Sequence, residues 1–162
     1  MVTIDEVRLF DIQEVGEVLK TTWLNTYSAY LSVETIKKVT DFWLDPELLK
    51  NQIMDPEVLF LAAKDETGAI VGLATALKVE PTTLQLARLY VLPEKQRQGI
   101  GTLLLERVIK KMSYIKTIRV EVEENNLRGI GFCLKRGFSK VGAKQDIVED
   151  TVLLAIVMEK TL

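Results

Sequence analysis

A glycine-containing loop between a strand-like segment and an amphipathic helical segment constrains this chain more than any other feature. The apolar run that ends in Leu89-Tyr90-Val91 is stopped by Pro93, and Gly99-Ile100-Gly101 then opens into a segment of helical period. The first amide groups of a helix have no internal partners and lie at the positive end of its dipole, so they bind phosphates. Glycines also allow the backbone to approach a diphosphate closely. Spacing alone leaves two interpretations open, a diphosphate site or a helix start eased by glycine.

Two other phosphate-binding loops fit this segment poorly. A P-loop requires Gly-Lys followed by Ser or Thr, and residues 96–102 lack that sequence. The dinucleotide fingerprint requires a third glycine in a parallel unit and an acidic residue downstream, which are also missing. The loop is therefore not expected to bind a nucleotide in either of these ways.

The N-terminal half begins with a strand and continues with helices. Residues 2–10 are predicted to form the strand, and Asp11 with Glu14 resembles a capping box at the start of a helix. One apolar face of that helix is predicted from residues at helical spacing, namely Ile12, Val15, Leu19, Trp23, Tyr27 and Tyr30. Two further helices are predicted, one after Ser32 and one at Asp45-Pro46-Glu47.

From residue 58 onward, strand-like segments dominate. Three apolar runs separated by turn residues indicate consecutive antiparallel strands, at residues 58–63, 69–79 and 84–91. The later elements are a helix at 99–115, a strand at 117–122, a helix at 127–136 and strands at 139–147 and 151–158. The last strand is almost wholly apolar, so we expect it to be buried on both faces. This order predicts a single α/β (α+β) domain of residues 1–162, with a mixed, mostly antiparallel sheet of about seven strands and helices on both faces.

The composition excludes several kinds of chemistry. The chain of 162 residues has no histidine and a single cysteine, Cys133. Ser-His-Asp or Cys-His catalysis, histidine-built metal sites and an internal disulfide are therefore excluded, and we expect no metal. The net charge of −2 argues against a nucleic-acid partner. The sequence has neither a secretory signal pattern nor an apolar run of bilayer length, so a cytoplasmic location without membrane contact is expected.

Two ordered motifs resemble those of a known family. Gln96-x-x-Gly99-x-Gly101, which follows Leu89-Tyr90-Val91-x-Pro93, resembles the acetyl-CoA signature of the GNAT superfamily of N-acetyltransferases. Asn126-x-x-Gly129-Ile130-x-Phe132-Cys133-x-Lys135-x-Gly137-Phe138 is similar to that family's Asn-x-x-Ala-Ile-x-Phe-Tyr-x-Lys-x-Gly-Phe helix. The separation of the motifs and the strand order agree along the whole chain. The resemblance implies an enzyme that transfers acetyl from acetyl-CoA to an amine by direct attack.

The resemblance also implies how the coenzyme is held. Main-chain groups of Leu89, Tyr90 and Val91 would run along the pantetheine arm, with the Val91 amide facing the thioester oxygen. Asn126 would bind that arm from the opposite side, with Cys133 nearby. The diphosphate would lie on the loop and the helix start, formed by Arg97, Gln98, Gly99, Ile100, Gly101 and Thr102.

The proton-transfer groups are less well defined. Glu121 matches the position of a glutamate that acts as base in N-terminal acetyltransferases of this family, although it could simply be a polar residue on an alternating strand. Glu80 and Glu123 are weaker candidates. Cys133 stands where the family usually has a tyrosine that protonates the leaving thiolate, and it is either a substitute acid or a small buried residue. In the latter case Tyr90 or water supplies the proton, or no dedicated acid exists.

The acceptor amine is indicated only loosely. Residues 23–31 resemble the substrate-side helices of spermine/spermidine acetyltransferases and of ribosomal-protein N-terminal acetyltransferases, which makes Trp23 and Tyr27 candidate substrate contacts. The same spacing is also typical of core residues. A polyamine or other small primary amine is the expected acceptor, and a protein N-terminus is the alternative. A CoA-binding regulatory module without catalysis is the alternative of a different class, supported only by Cys133. Dimers are common in the family.

Overall fold

The computed structural model describes residues 1–162 as a seven-stranded sheet flanked by five helices. The strands are β1 (Thr3–Glu6), β2 (Val58–Lys64), β3 (Ile70–Glu80), β4 (Thr83–Val91), β5 (Thr117–Glu123), β6 (Ser139–Val148) and β7 (Thr151–Thr161). The helices are α1 (Ile12–Tyr27), α2 (Val33–Trp43), α3 (Pro46–Met54), α4 (Ile100–Lys111) and α5 (Leu127–Lys135). Short 3-10 turns lie at Leu9–Asp11 and Pro93–Lys95.

The sheet is mixed but mostly antiparallel. Its strand order is β1-β2-β3-β4-β5-β7-β6, and β4 with β5 is the one parallel pair of neighbours. The three consecutive antiparallel strands expected from the apolar runs are β2, β3 and β4, and the predicted fold class is confirmed. The turn between β2 and β3 has Gly68 at φ 86°, and the Asp65 carboxylate accepts hydrogen bonds from the Thr67 and Ala69 amides.

Two hydrophobic cores lie on opposite faces of this sheet. Helices α4 and α5 cover one face, where Leu104 and Ile118 are fully buried. Helices α1, α2 and α3 cover the other face, where Leu19 and Leu73 are fully buried. The sheet is therefore enclosed between two helical layers, as the sequence predicts.

The start of the chain differs from the prediction. The first strand covers only Thr3–Glu6, and Asp11 does not cap α1. The Asp11 carboxylate accepts a hydrogen bond from the Arg8 amide at 2.9 Å, and Glu14 accepts one from the Ile70 amide at 2.9 Å. The capping-box prediction was wrong because both carboxylates bind backbone groups outside the helix.

Two further expectations about burial were wrong. Tyr30 lies beyond the end of α1 and is 51% exposed. The last strand, β7, is not buried on both faces, since Val152 and Leu154 are 53% and 37% exposed. Its neighbour β6 forms the edge of the sheet, with residues 139–145 exposed, so the apolar side chains at this end of β7 are left uncovered. No helix is both long and apolar enough to span a bilayer.

Candidate active site

The two parallel strands β4 and β5 separate halfway along their length. They pair from Thr83 with Thr117 to Leu86 with Val120, and no pairing between them follows. Each strand continues to pair on its outer side, β4 with β3 and β5 with β7. The sheet therefore opens into a cleft between residues 87–91 of β4 and residues 121–123 of β5.

A β-bulge at the opening changes the direction of the side chains on β4. Leu86 pairs with Ala76 and Arg88 pairs with Thr75, which leaves Ala87 without a partner. Leu86 belongs to the core under α4 and α5, whereas Arg88 contacts α2 and α3. Bulges of this kind re-aim side chains beside functional sites. Here the bulge turns Arg88, and Tyr90 after it, toward the layer formed by α1, α2 and α3.

The backbone of β4 presents unpaired polar groups to the cleft. The Leu92 amide donates to the Val71 carbonyl on β3 at 2.9 Å. Successive residues of a strand point their main-chain groups to alternate sides, so the Val91 and Leu89 amides face away from β3 and into the cleft. The Val91 carbonyl accepts a hydrogen bond from Gln96 Nε2 at 3.0 Å. The two amides remain available to a ligand.

The glycine loop leads from β4 into the first turn of α4. Gly99 has φ 82° and Arg97 has φ 63°, so the chain turns through two left-handed residues immediately before the helix. Gln96 Oε1 accepts a hydrogen bond from Arg128 Nη1 at 3.0 Å, which ties the loop to α5. A Cβ at Gly99 would meet no atom within 4 Å, so the space above the loop is open. The free amides at this helix start favour an anion.

Gly101 has a different role from the one its motif suggests. A Cβ at this position would lie 3.2 Å from the ring atom Cε2 of Phe132. The glycine therefore permits close packing of α4 against α5. Valine at either glycine would disturb the fold as well as the loop, because Gly99 has a left-handed backbone and a side chain at Gly101 would meet Phe132.

The cleft encloses about 790 Å³ and is strongly basic. Glu121 is the one carboxylate in its lining, which includes the basic side chains Arg88, Lys95, Arg97, Arg128, Lys135 and Arg136. Arg136 is held in place by hydrogen bonds to the Thr102 hydroxyl and by its position 3.6 Å from the centre of the Phe132 ring. Such a lining attracts the phosphate groups of a coenzyme.

Asn126 and Cys133 lie on the β5 side of this cleft. Asn126 Oδ1 accepts a hydrogen bond from the Gly129 amide at 3.0 Å and so caps α5. Its amide nitrogen is left for the cleft, close to the Tyr27 hydroxyl. Burial raises the pKa of the Cys133 thiol to about 11, although the nearby Arg136 opposes the shift. Cys133 is therefore a weaker acid than a free cysteine.

A second, smaller chamber opens from the cleft toward α1, α2 and α3. It encloses about 400 Å³ and shares with the cleft the residues Tyr27, Leu86, Ala87, Arg88, Tyr90 and Glu121. Trp23, Tyr27 and Trp43 form its aromatic wall, with ring centroids 4.3 Å apart for Trp23–Tyr27 and 5.7 Å apart for Trp23–Trp43. Trp23 and Tyr27 are buried core residues that also line the chamber. The chamber joins the cleft at the point where β4 and β5 part.

Three carboxylates line the chamber from the β5 and β6 side, namely Glu121, Glu123 and Asp146. Glu121 lines both spaces, and its Oε1 lies 3.3 Å from Lys144 Nζ. The two other candidate bases do not line the cleft. Glu123 accepts a hydrogen bond from the Asn125 amide at 2.8 Å, and Glu80 pairs with Arg119 at 3.3 Å.

The two tyrosines at the junction are held as neutral phenols. Burial raises the pKa of Tyr90, although the positive charge of Arg88 and a hydrogen bond with Trp23 oppose the shift. Burial also raises the pKa of Tyr27, and Asn126 opposes it. Both hydroxyl groups are therefore hydrogen-bond donors at neutral pH.

The structure brings together nearly all of the residues singled out from the sequence. Gln98 is the exception among the loop residues, since its side chain is exposed and donates to the Glu94 carbonyl. The acidic residues between positions 41 and 57 line neither space. Asp41 pairs with Lys37, while Asp45 and Asp55 accept hydrogen bonds from backbone amides.

Among the chamber residues that sequence reasoning missed are Arg88, Trp43, Gln52 and Asp146. Arg88 could have been found from the sequence, because it is the one charged residue in the largely apolar strand Thr83–Val91. No feature of the sequence pointed to Asp146, since it reaches the chamber from the edge strand β6.

Comparison with known proteins identifies the family. Residues 20–138 match the Acetyltransferase (GNAT) family. The chain belongs to this family. It is 31% identical to the spermidine N(1)-acetyltransferase of Thermoplasma acidophilum over 98% of this chain and 96% of that protein. It is thus a GNAT N-acetyltransferase, and acetyl-CoA is its cosubstrate.

Solved structures agree with this assignment. The PaiA N-acetyltransferase from Thermoplasma acidophilum in complex with coenzyme A superposes with a TM-score of 0.88 and 26% identity, over 100% of this chain and 99% of that chain. The ribosomal-protein-S18-alanine N-acetyltransferase from Escherichia coli superposes with a TM-score of 0.74 and 19% identity, over 99% and 94% of the two chains. The latter likeness shows the shared fold alone.

The open space above Gly99 gives a direct test of the phosphate loop. Asparagine tolerates a left-handed backbone, so Gly99→Asn is expected to fold normally while its side chain occupies the diphosphate position. We expect the dissociation constant for CoA, measured by calorimetry, to rise about tenfold or more. Gly68→Asn is the matched control, because Gly68 has φ 86° and equally open surroundings in a distant turn. Equal CoA affinity in both variants would contradict the loop assignment.

Proposed function

We propose that this enzyme acetylates the primary amine of a small polycationic acceptor of the polyamine class, by direct attack on acetyl-CoA. The observation that carries the proposal is the chamber of aromatic and carboxylate side chains that meets the coenzyme cleft where β4 and β5 part. Carboxylates and aromatic faces both attract alkylammonium groups. The 31% identity to a spermidine acetyltransferase supports the same acceptor class.

On the coenzyme side, the proposal assigns each part of acetyl-CoA to a group already in place. The diphosphate lies over the first turn of α4, near Gly99 and Arg97. The pantetheine arm runs between the free amides of β4 and the Asn126 amide nitrogen on the other side of the cleft. The thioester carbonyl then points at the Val91 amide, which stabilises negative charge on its oxygen.

On the acceptor side, the reaction needs a neutral amine. A free alkylammonium has a pKa of roughly 10, so it must lose a proton before its nitrogen attacks the thioester carbon. Attack forms a tetrahedral oxyanion, and its collapse breaks the carbon–sulfur bond and expels the CoA thiolate. Glu121, which lines both spaces, accepts the first proton from the ammonium group directly or through water. The second proton leaves the nitrogen as the tetrahedral intermediate collapses and passes through water to the thiolate.

The proton that reaches the CoA thiolate does not come readily from Cys133. A thiol whose pKa is raised to about 11 holds its proton more tightly than an ordinary thiol, whose pKa is about 8.5. Proton transfer from Cys133 to the thiolate is therefore uphill. We assign Cys133 to packing beside the coenzyme and the protonation of sulfur to water. Burial raises the pKa of the Tyr90 phenol as well, so that group is no better a proton donor.

A panel of acceptors tests the substrate class. Release of free thiol from acetyl-CoA is followed with spermidine, spermine, a monoamine of similar length and a short peptide with a free N-terminus. We expect the highest kcat/KM with the polyamines, because their remaining ammonium groups can lie against the three carboxylates. A preference for the peptide would replace the polyamine proposal by N-terminal acetylation, and no thiol release with any amine would contradict acetyl transfer to these acceptors.

Replacement of Glu121 tests the proposed base. In Glu121→Gln, kcat/KM for the best acceptor is expected to fall about 10²- to 10⁴-fold near pH 7. The loss should shrink as the pH rises, because more of the amine is then already neutral. The neighbouring Glu124→Gln serves as control, since Glu124 is exposed and lines neither space. An unchanged kcat/KM across the pH range in Glu121→Gln would remove this residue as base.

A further inference from the structure

The acceptor chamber contains a cation that the proposed function does not use. Arg88 is the one basic side chain in its lining. Its guanidinium donates from Nη1 to Gln52 Oε1 at 2.6 Å and from Nη2 to the Trp43 carbonyl at 3.3 Å, and both acceptors are neutral. No carboxylate lies within ion-pair distance of Arg88, although six other basic side chains form such pairs, Lys37, Lys38, Lys64, Lys111, Arg119 and Lys144.

This arrangement leaves a partly buried charge without a counter-ion. Desolvation by burial lowers the pKa of Arg88, but a guanidinium remains charged in proteins. Charges with little access to water are ordinarily paired, because an unpaired charge loses hydration without recovering an ion pair. Here the guanidinium also lies 5.9 Å from the centre of the Phe60 ring. Gln52 and Trp43 hold the guanidinium at one point of the wall shared by the chamber and the coenzyme cleft. Arg88 thus places a positive charge on the chamber side of the point where the two spaces meet.

The opposite wall of the chamber carries the opposite charge. Glu121 and Glu123 on β5 and Asp146 on β6 line it, and Lys144 neutralises part of this charge through contacts of 3.3 Å with Glu121 and 3.4 Å with Asp146. The remaining titratable groups that face Arg88 are the phenols Tyr90 on β4 and Tyr27 on α1, while α2 and α3 present only neutral groups. The chamber is therefore positive on the β4 side and negative on the β5 and β6 side.

From this polarity we infer that Arg88 determines which nitrogen of the acceptor reacts, by excluding the ammonium form from the attack position. A like charge in a poorly solvated site disfavours protonation of the incoming nitrogen. That nitrogen enters neutral, having released its proton to water or to Glu121, while the other ammonium groups of the acceptor lie against the carboxylates. Arg88 is thus a specificity-determining residue that acts through charge. The inference rests on the proposed amine acetylation.

The test compares two amines of different basicity in Arg88→Gln and Arg88→Lys. One is the best polyamine acceptor, and the other is a fluorinated alkylamine that is already neutral near pH 7. In Arg88→Gln we expect kcat with the polyamine at pH 7 to fall about tenfold, with the acid limb of its pH profile shifted up by about one unit. The rate with the weakly basic amine should change little. Arg88→Lys, which keeps the charge, should restore most of the polyamine rate.

The comparison separates charge from folding and from ligand binding. Any loss of folded protein lowers the reaction rates with both amines equally and leaves the ratio of the two rates unchanged. Arg88→Met provides a second neutral variant that keeps the apolar part of the side chain. Lys110→Gln, an exposed charge on α4 outside both spaces, is the control for general charge loss. The inference would be overturned if kcat in Arg88→Gln fell equally with both amines, or if the acid limb of the polyamine pH profile did not shift.

A third outcome points to a different role for the same side chain. If Arg88→Gln abolishes activity only with acceptors that bear a carboxylate, such as free amino acids, Arg88 is an anion receptor and the inference is wrong. If the wild-type enzyme releases no thiol with any amine, the proposed function itself fails. The two failures are therefore distinguishable, because the first requires an active wild-type enzyme.

Discussion

The separation of β4 and β5 is the constraint on which the rest of the structure depends. A sheet normally pairs every interior main-chain group, and an unpaired buried amide costs as much as a lost hydrogen bond. Here the Leu89 and Val91 amides have no strand partner, because pairing ends at Leu86 with Val120. The fold places them in a cleft bordered by the first turn of α4 and by Asn126. In the proposed binding mode, a pantetheine arm along β4 supplies the missing partners.

The same opening gives the enzyme two distinct sides. The unpaired Ala87 shifts the alternation of β4, so that Leu89 and Val91 pack toward α4 and α5 while Arg88 and Tyr90 face the other helical layer. The lining of the cleft is basic, and the lining of the chamber combines aromatic rings with carboxylates. One bulge therefore directs the side chains of a single strand into two differently lined spaces.

How far the sequence could predict this site depends on whether a feature is local. The glycine loop and the Asn126 helix start are local, since a left-handed Gly99 and a capping side chain are visible in a short motif. The chamber, in contrast, is built from residues that lie far apart in the sequence. Arg88 reaches it through a bulge, and Asp146 reaches it from the sheet edge, so spacing along the chain did not reveal either. The capping prediction at Asp11 failed for a similar reason, because tertiary backbone contacts took both carboxylates.

Amide hydrogen exchange measured by NMR with and without CoA tests the central claim most directly. We expect CoA to slow exchange of the Leu89 and Val91 amides and of the first amides of α4. The Tyr90 amide, which points toward β3, should be protected in both states and serves as an internal reference. Unchanged exchange at Leu89 and Val91 in the CoA-saturated protein would contradict the claim that the separated strands form the coenzyme site.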